Sequence, residues 1–280
     1  MEMGAGKQRC LGFAEAICKL TDAALSWVYP PRCMVCEDIL PRNGPKRICE
    51  NCAGLMVPIA KPVCVMCGAP AESEGAVCAL CRKRKRVFGN TALFVYEDVI
   101  REVIHRFKYN GRPRYAQGFA ELAAGILGEG FFEGAGAFIP VPMHAKKRRR
   151  RGYNQAEEFA LALSKATGVP TILDYLKRVK NTRPMAGLTP AERASNLQGA
   201  FALGKQINVK SVLLIDDIYT TGETLDVCAN LLKLGGAEQI GSLTLAVAVR
   251  RENQRKPEDA EVYPKLTERT GECHGYENCQ

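Results

Sequence analysis

Residues 212–224 read VLLIDDIYTTGET, and this stretch constrains the fold more than any other. Val212 to Ile215 is an unbroken apolar run, the pattern of a strand buried on both faces in a parallel sheet. The acidic pair Asp216 and Asp217 follows, then a turn of Thr220, Thr221, Gly222, Glu223 and Thr224, then an apolar-periodic helix from Leu225. Backbone N–H groups at such a helix start can cradle a phosphate, and Gly222 lets the chain come close to it. The Thr220, Thr221 and Thr224 hydroxyls add donors. The two carboxylates would repel a phosphate, so they must face a ribose diol, a magnesium ion, or both. A ribose phosphorylated at its 5-position meets all of these demands. The loop has neither the Gly-Lys-Ser/Thr ending of a Walker A loop nor the spacing of a dinucleotide-binding glycine turn.

The same strand–loop–helix unit recurs. Thr91 to Tyr96 reads as a strand, followed by a helix from Asp98 to Phe107 with Val99, Ile100, Val103, Ile104 and Phe107 on one face. A second helix is expected over Gln117 to Leu127, ended by Gly128 and Gly130. Phe138 to Val141 reads as a short strand and Ala156 to Ala166 as the helix after it. Tyr175 to Val179 and Ser242 to Val249 are further strands. Alternating strands and helices imply a mostly parallel sheet, whose ligands gather at the carboxyl ends of its strands. The loop expected there after Val141, MHAKKRRRRGYNQ, carries six consecutive basic residues from Lys146 to Arg151. It suits a pyrophosphate or a nucleic acid; a solvated basic patch is the plainer alternative. Asn181 to Asn196 is polar and long for a connection, the pattern of a mobile lid.

Thirteen cysteines are many for an intracellular chain, and eight of them form four CxxC pairs: Cys33 and Cys36, Cys49 and Cys52, Cys64 and Cys67, Cys78 and Cys81. Each pair can offer two thiolates to one metal, so the set suits two structural zinc ions. A redox CxxC would need one motif at a strand–helix junction rather than four in series. Spacing favours pairing the first motif with the second and the third with the fourth, and leaves an interleaved pairing open. The linkers hold too little apolar material for a core, so metal must hold the segment together. Before it, Leu11 to Val28 reads as an amphipathic docking helix interrupted by Glu15, Lys19 and Asp22. No stretch is apolar enough to span a membrane, and a cytoplasmic location is expected. The net charge of +9 points to anionic partners. The run RKRKR from Arg82 to Arg86 divides evenly between a solvated linker and a nucleic-acid contact. Cys273, His274 and Cys279 lie in a polar tail and are expected to be free. The expected organisation is an N-terminal helix (1–30), a double zinc-binding module (31–86), an α/β domain (87–250) and a flexible tail (251–280).

LLIDDIYTTGET resembles the 5-phosphoribosyl 1-pyrophosphate signature of type I phosphoribosyltransferases. With the paired CxxC motifs, FKYNGRPRYA, IPVPMHAKKRRRRGYNQAEEFA and RPMAGLTPAERASNLQGAF, the layout from Pro30 to Val249 resembles the ComF family, also called ComF/GntX-like. The resemblance implies a type I phosphoribosyltransferase-like parallel sheet flanked by helices, joined to a small zinc module. It implies ribose contacts from Asp216 and Asp217 and a 5-phosphate loop of Thr220, Thr221, Gly222, Glu223 and Thr224. Pro142, Met143 and His144 would line the pyrophosphate, with Arg151, Gly152, Asn154 and Gln155 behind them. Arg178 to Arg193 would form a closing loop, with Arg193 on the leaving group. Met185 stands where the family usually has glutamine. The implied activity is transfer of a phosphoribosyl group, with magnesium, to an acceptor the sequence does not name, in the setting of DNA uptake and competence. The alternative is a protein that senses the same ligand, or holds single-stranded DNA, without turnover. DNA-uptake proteins are the other implied partners.

Overall fold

The computed structural model describes residues 30–41, 47–83, 88–182, 190–204 and 208–249, without the side chains of residues 190, 191, 193 and 194. The chain divides into two compact units, Met1–Ala53 and Gly54–Gln280. This division falls inside the cysteine-rich segment that spacing alone treats as one module. The expectations for the N-terminal helix, Arg84 to Arg86, Met185 and the C-terminal tail lie outside the described residues.

The small unit is built on one CxxC knuckle. Arg32 and Ile39 bridge antiparallel across it, and the short helix α1 (Glu50–Ala53) brings in the second pair of cysteines. Cys33, Leu40 and Cys52 form its buried cluster. The large unit opens with the same device. Val63 and Pro70 bridge antiparallel, and α2 (Ala79–Arg82) carries Cys81. Both knuckles need a left-handed residue after their second cysteine: Glu37 has φ 63° and Gly68 has φ 74°.

The rest of the large unit is a four-stranded parallel sheet. β1 (Asn90–Val95) leads to helices α3 (Asp98–Tyr109) and α4 (Tyr115–Leu127), β2 (Ala137–Pro140) to α5 (Ala145–Arg151) and α6 (Gln155–Thr167). A small antiparallel pair follows, β3 (Leu176–Arg178) and β4 (Phe201–Leu203), with α7 (Pro190–Leu197) between them. β5 (Ser211–Tyr219), α8 (Glu223–Leu234) and β6 (Gln239–Val247) complete the unit. The strand order is β1–β6–β5–β2, with every pairing parallel. Phe94, Phe107, Phe119, Phe138 and Phe159 are fully buried, and helical apolar faces such as Ile100, Val103, Ile104 and Phe107 of α3 supply the core.

Three local expectations are corrected. The central strand does not stop at Ile215 but runs to Tyr219, because β6 continues to pair with it through Tyr219 and Val247. The basic run is not a loop but helix α5. Lysine and arginine are good helix formers, His144 Nδ1 caps the start by accepting from the Lys146 N–H at 3.2 Å, and Gly152 ends it at φ 91°. The polar stretch from Asn181 to Asn196 contains most of helix α7. Among the described residues, no helix is long and apolar enough to cross a membrane.

Candidate functional site

β2 stops at Pro140 while β5 runs on to Tyr219. Residues 216–219 therefore have no strand neighbour on the β2 side among the described residues. This notch lies at the carboxyl end of the sheet, where open α/β sheets take ligands. Its walls are the end of β5, the turn into α8, the Val141-to-His144 exit from β2, the end of α3, and β3.

The acidic pair sits inside β5, not in a loop. Successive side chains leave opposite faces of a strand. Asp216 therefore joins the face of Val212 and Leu214, which packs on Leu225, Cys228 and Ala229 of α8, and Asp217 takes the other face. Lys108, in the last turn of α3, meets Asp217 there, Nζ to Oδ1 at 2.9 Å. Asp216 Oδ1 accepts the Asp217 N–H at 2.8 Å. Burial pushes the Asp216 carboxyl up to about 7, and the Asp217 charge adds to the rise; the Asp217 N–H, Lys108 and Arg178 pull the other way.

The turn after β5 is short. Gly222, at φ 75° and ψ 0°, is the N-cap of α8 and provides no side-chain cap, so the first amides of a 12-residue helix remain for a ligand. Asp216, Thr220, Thr221, Gly222, Glu223 and Thr224 line one small cleft. Thr221 Oγ1 donates to Glu223 Oε2, which draws that carboxylate aside.

Cationic side chains from the other elements lie near the acidic pair. Burial, then the Arg178, Arg151 and Arg150 guanidinium groups, hold the Lys147 ammonium below the usual lysine range. Arg178 lies over the Phe201 ring at 5.0 Å and donates to Thr182 Oγ1; it is close enough to Asp216 to lower its proton affinity. Among single residues, Lys108, Lys147 and Arg178 are what sequence reasoning did not isolate. Each lay within a motif that had been noticed, but nothing in the local pattern separates the inward-pointing cation from its neighbours.

The RGYNQ residues stand behind the β2 exit and are hydrogen-bonded within the protein. Asn154 and Gln155 are 6% and 1% exposed. Asn154 caps α6 by accepting the Ala156 N–H at 3.3 Å and donates to the Val141 carbonyl at 3.0 Å. Gln155 Nε2 donates to the Phe107 carbonyl at 3.4 Å. Arg151 donates to Gln155 Oε1 and lies over the Tyr109 ring at 4.7 Å, while Gly152 ends α5. These groups hold the walls in place; their amides are already committed. Met143 and His144 are half-buried in the β2 exit. Arg193 belongs to α7, and its side chain lies outside the described residues.

The eight cysteines form two clusters in sequential pairing, Cys33, Cys36, Cys49 and Cys52, then Cys64, Cys67, Cys78 and Cys81, with all sulfur atoms of a cluster within 4.8 Å of one another. Cys36 and Cys49 lie 3.7 Å apart, Cys67 and Cys78 3.8 Å apart. A tetrahedron with Zn–S bonds of about 2.3 Å has edges of about 3.8 Å, so both clusters fit zinc. Burial opposes ionisation of Cys33 and Cys64, but backbone N–H donors outweigh it and bring each thiol down to about 7. The interleaved pairing is excluded.

Comparison with known proteins adds two matches to family models: a double zinc ribbon domain over residues 24–82 and a phosphoribosyl transferase domain over residues 149–275. Competence protein F of Haemophilus influenzae is 30% identical over 227 residues, 78% of this chain and 97% of that protein. Competence protein ComFC of Bacillus subtilis is 28% identical, covering 71% of this chain and 84% of its own. The DNA utilization protein YhgH of Escherichia coli is 25% identical, covering 75% and 94%. A hypoxanthine-guanine phosphoribosyltransferase from Bacillus anthracis aligns with a TM-score of 0.30 and 17% identity, covering 54% of this chain and 74% of that one.

Proposed function

This chain belongs to the ComF family, and on that premise we propose that its large unit binds 5-phosphoribosyl 1-pyrophosphate with magnesium and transfers the phosphoribosyl group to an acceptor. The observation that carries the reading is the convergence, at the carboxyl end of β5, of a bare helix start, two carboxylates and a separate group of cations. The 5-phosphate belongs at Thr220 to Thr224, on the first amides of α8. Asp216 and Asp217 accept the ribose hydroxyls and are the residues to hold magnesium, which supplies charge neutralisation to the pyrophosphate. Lys147 and Arg178 face the pyrophosphate, beside the Pro142–Met143–His144 wall, and Arg193 is a further leaving-group contact. As the bond at the anomeric carbon breaks, negative charge gathers on the leaving group. Cations fixed in advance there lower the barrier without reorganising.

A ligand at about 100 times its Kd stabilises a protein by about 2.7 kcal/mol. Adding 5-phosphoribosyl 1-pyrophosphate and magnesium should therefore raise the melting temperature by several degrees, and the Asp216→Ala, Asp217→Ala double variant should lose the rise. A wild-type protein that shows no shift at millimolar ligand overturns the reading. Release of pyrophosphate on addition of candidate acceptors then separates transfer from binding alone.

A second reading has its own observation. Lys146, Arg148, Arg149 and Arg150 are exposed along α5, which favours contact with a single-stranded nucleic acid, with or without turnover. Affinity for an oligonucleotide should fall steeply with salt. A flat response from low to high salt removes this reading.

A further inference from the structure

We propose that Lys108 is a positioning residue of the phosphoribosyl site: its ammonium group fixes Asp217 and supplies the counter-charge that lets the adjacent carboxylates accept a ribose diol without a divalent cation. This rests on the ligand reading given under Proposed function.

The contact itself is well sheltered. Lys108 Nζ and Asp217 Oδ1 are 2.9 Å apart, with only 16% and 17% of the two side chains exposed. Exposed pairs contribute little because water and salt screen them. A pair this sheltered is different: removing one partner strands the other charge away from water.

The corner that carries Lys108 is pinned from several directions. The carbonyl of Phe107 accepts from both Tyr153 Oη and Gln155 Nε2. Tyr153 Oη in turn accepts the Arg112 N–H at 3.1 Å. The Phe107 ring packs on Phe119 and Tyr153 at centroid distances of 5.7 and 5.9 Å. Two buried polar side chains, Tyr153 and Gln155, thus spend hydrogen bonds on fixing the residue before Lys108. The last carbonyls of a helix need some acceptor satisfaction in any case, but here both donors come from the strand–helix unit that forms the opposite wall of the notch. The ammonium group is thereby aimed at Asp217 before any ligand arrives.

The surrounding charges give the arrangement its consequence. Asp217 faces Lys108 of α3; Asp216, on the other face of β5, faces Arg178 of β3 and Cys228 of α8. Without Lys108, the repulsion between the neighbouring carboxylates loses one of its two cationic offsets. The paired carboxylates then meet a ribose diol with less positive charge beside them to balance their own.

Ribose 5-phosphate is the probe, because it carries the phosphate and the diol but no pyrophosphate to chelate magnesium. Titration calorimetry on the full chain, in magnesium-free buffer and with magnesium, compares wild type with Lys108→Met and Lys108→Arg. Wild type should bind in magnesium-free buffer. Lys108→Met should bind roughly tenfold more weakly there, with part of the loss recovered by magnesium. Lys108→Arg should restore most of the magnesium-free affinity. If Lys108→Met does not fold, as judged by zinc content and melting, Lys108→Gln takes its place. A neutral variant with wild-type affinity in magnesium-free buffer overturns the proposal while leaving the site reading standing. A wild-type protein that binds no ribose 5-phosphate in either buffer overturns the site reading, and this proposal with it.

Discussion

Asp216 is half-buried within β5, and its surroundings work against its charge. Its folded pKa is raised to about 7, against about 3.9 for a free aspartate. Between those values the folded protein holds a proton that the unfolded chain has released. Stability is therefore greatest at and below the lower value and falls as pH rises toward 7; above it the full burial cost of the carboxylate applies. Asp216→Asn keeps the acceptor for the Asp217 N–H and removes that cost. At pH 8 it should melt above wild type, by about 2–4 °C for each kcal/mol relieved, while losing the shift with 5-phosphoribosyl 1-pyrophosphate. At pH 4 the two should melt together. A variant less stable than wild type at pH 8 defeats the argument.

At the scale of elements, close approach decides more than propensity. Gly68, which closes the second knuckle, has φ 74°. A Cβ there would lie 2.7 Å from Ala92 N and 2.9 Å from Asn90 O, both backbone atoms of β1. The same junction is held by Asn90, whose Nδ2 donates to the Cys67 carbonyl at 3.0 Å and to Thr244 Oγ1 at 3.1 Å, while its Oδ1 accepts from Ser242 Oγ at 2.8 Å. A buried polar chain thus links the knuckle to β1 and β6, and Thr244 lies in register with Asp216 on β5. Gly68→Ala should destabilise the large unit by roughly 1–3 kcal/mol, from strain and displaced backbone together. Urea denaturation measures this, and a midpoint equal to wild type counts against the packing described. Asn154→Ala should cost about 1 kcal/mol as a lost cap, and it also frees the Val141 carbonyl beside the notch.

For the molecule as a whole, the two zinc clusters are not equivalent. Cys64, Cys67 and Cys81 belong to the same buried cluster as Val212, Leu214, Leu225 and Val247 of the sheet and α8. Cys33 and Cys52 share a separate cluster with Leu40. Metal analysis should find about two zinc ions per chain. Cys64→Ser with Cys67→Ser should remove one of them and abolish the main thermal transition or lower it sharply. Cys33→Ser with Cys36→Ser should remove the other and leave the large unit's transition in place. Equal effects on that transition would show that the knuckles contribute alike.

Local pattern alone determined much of this protein. Apolar runs and helical periodicity marked β1, β2, β5, β6 and the helices α3, α4, α6 and α8, because period and capping are set within a few residues. CxxC spacing marked the eight thiolates, and DDIYTTGET is the stretch on which the proposed phosphate and diol contacts rest. Tertiary structure alone decided which CxxC pairs share a metal, and that the second knuckle belongs to the core of the sheet. It also gave Asn154 and Gln155 their buried hydrogen-bond partners, the Val141 and Phe107 carbonyls, since a side chain's partner depends on what lies across a fold. VLLIDDIYTTGET names two carboxylates; only the folded chain sends them to opposite faces of β5 and brings Lys108 to one and Arg178 to the other. Those cations are remote in sequence, and proximity across a sheet leaves no mark in local periodicity.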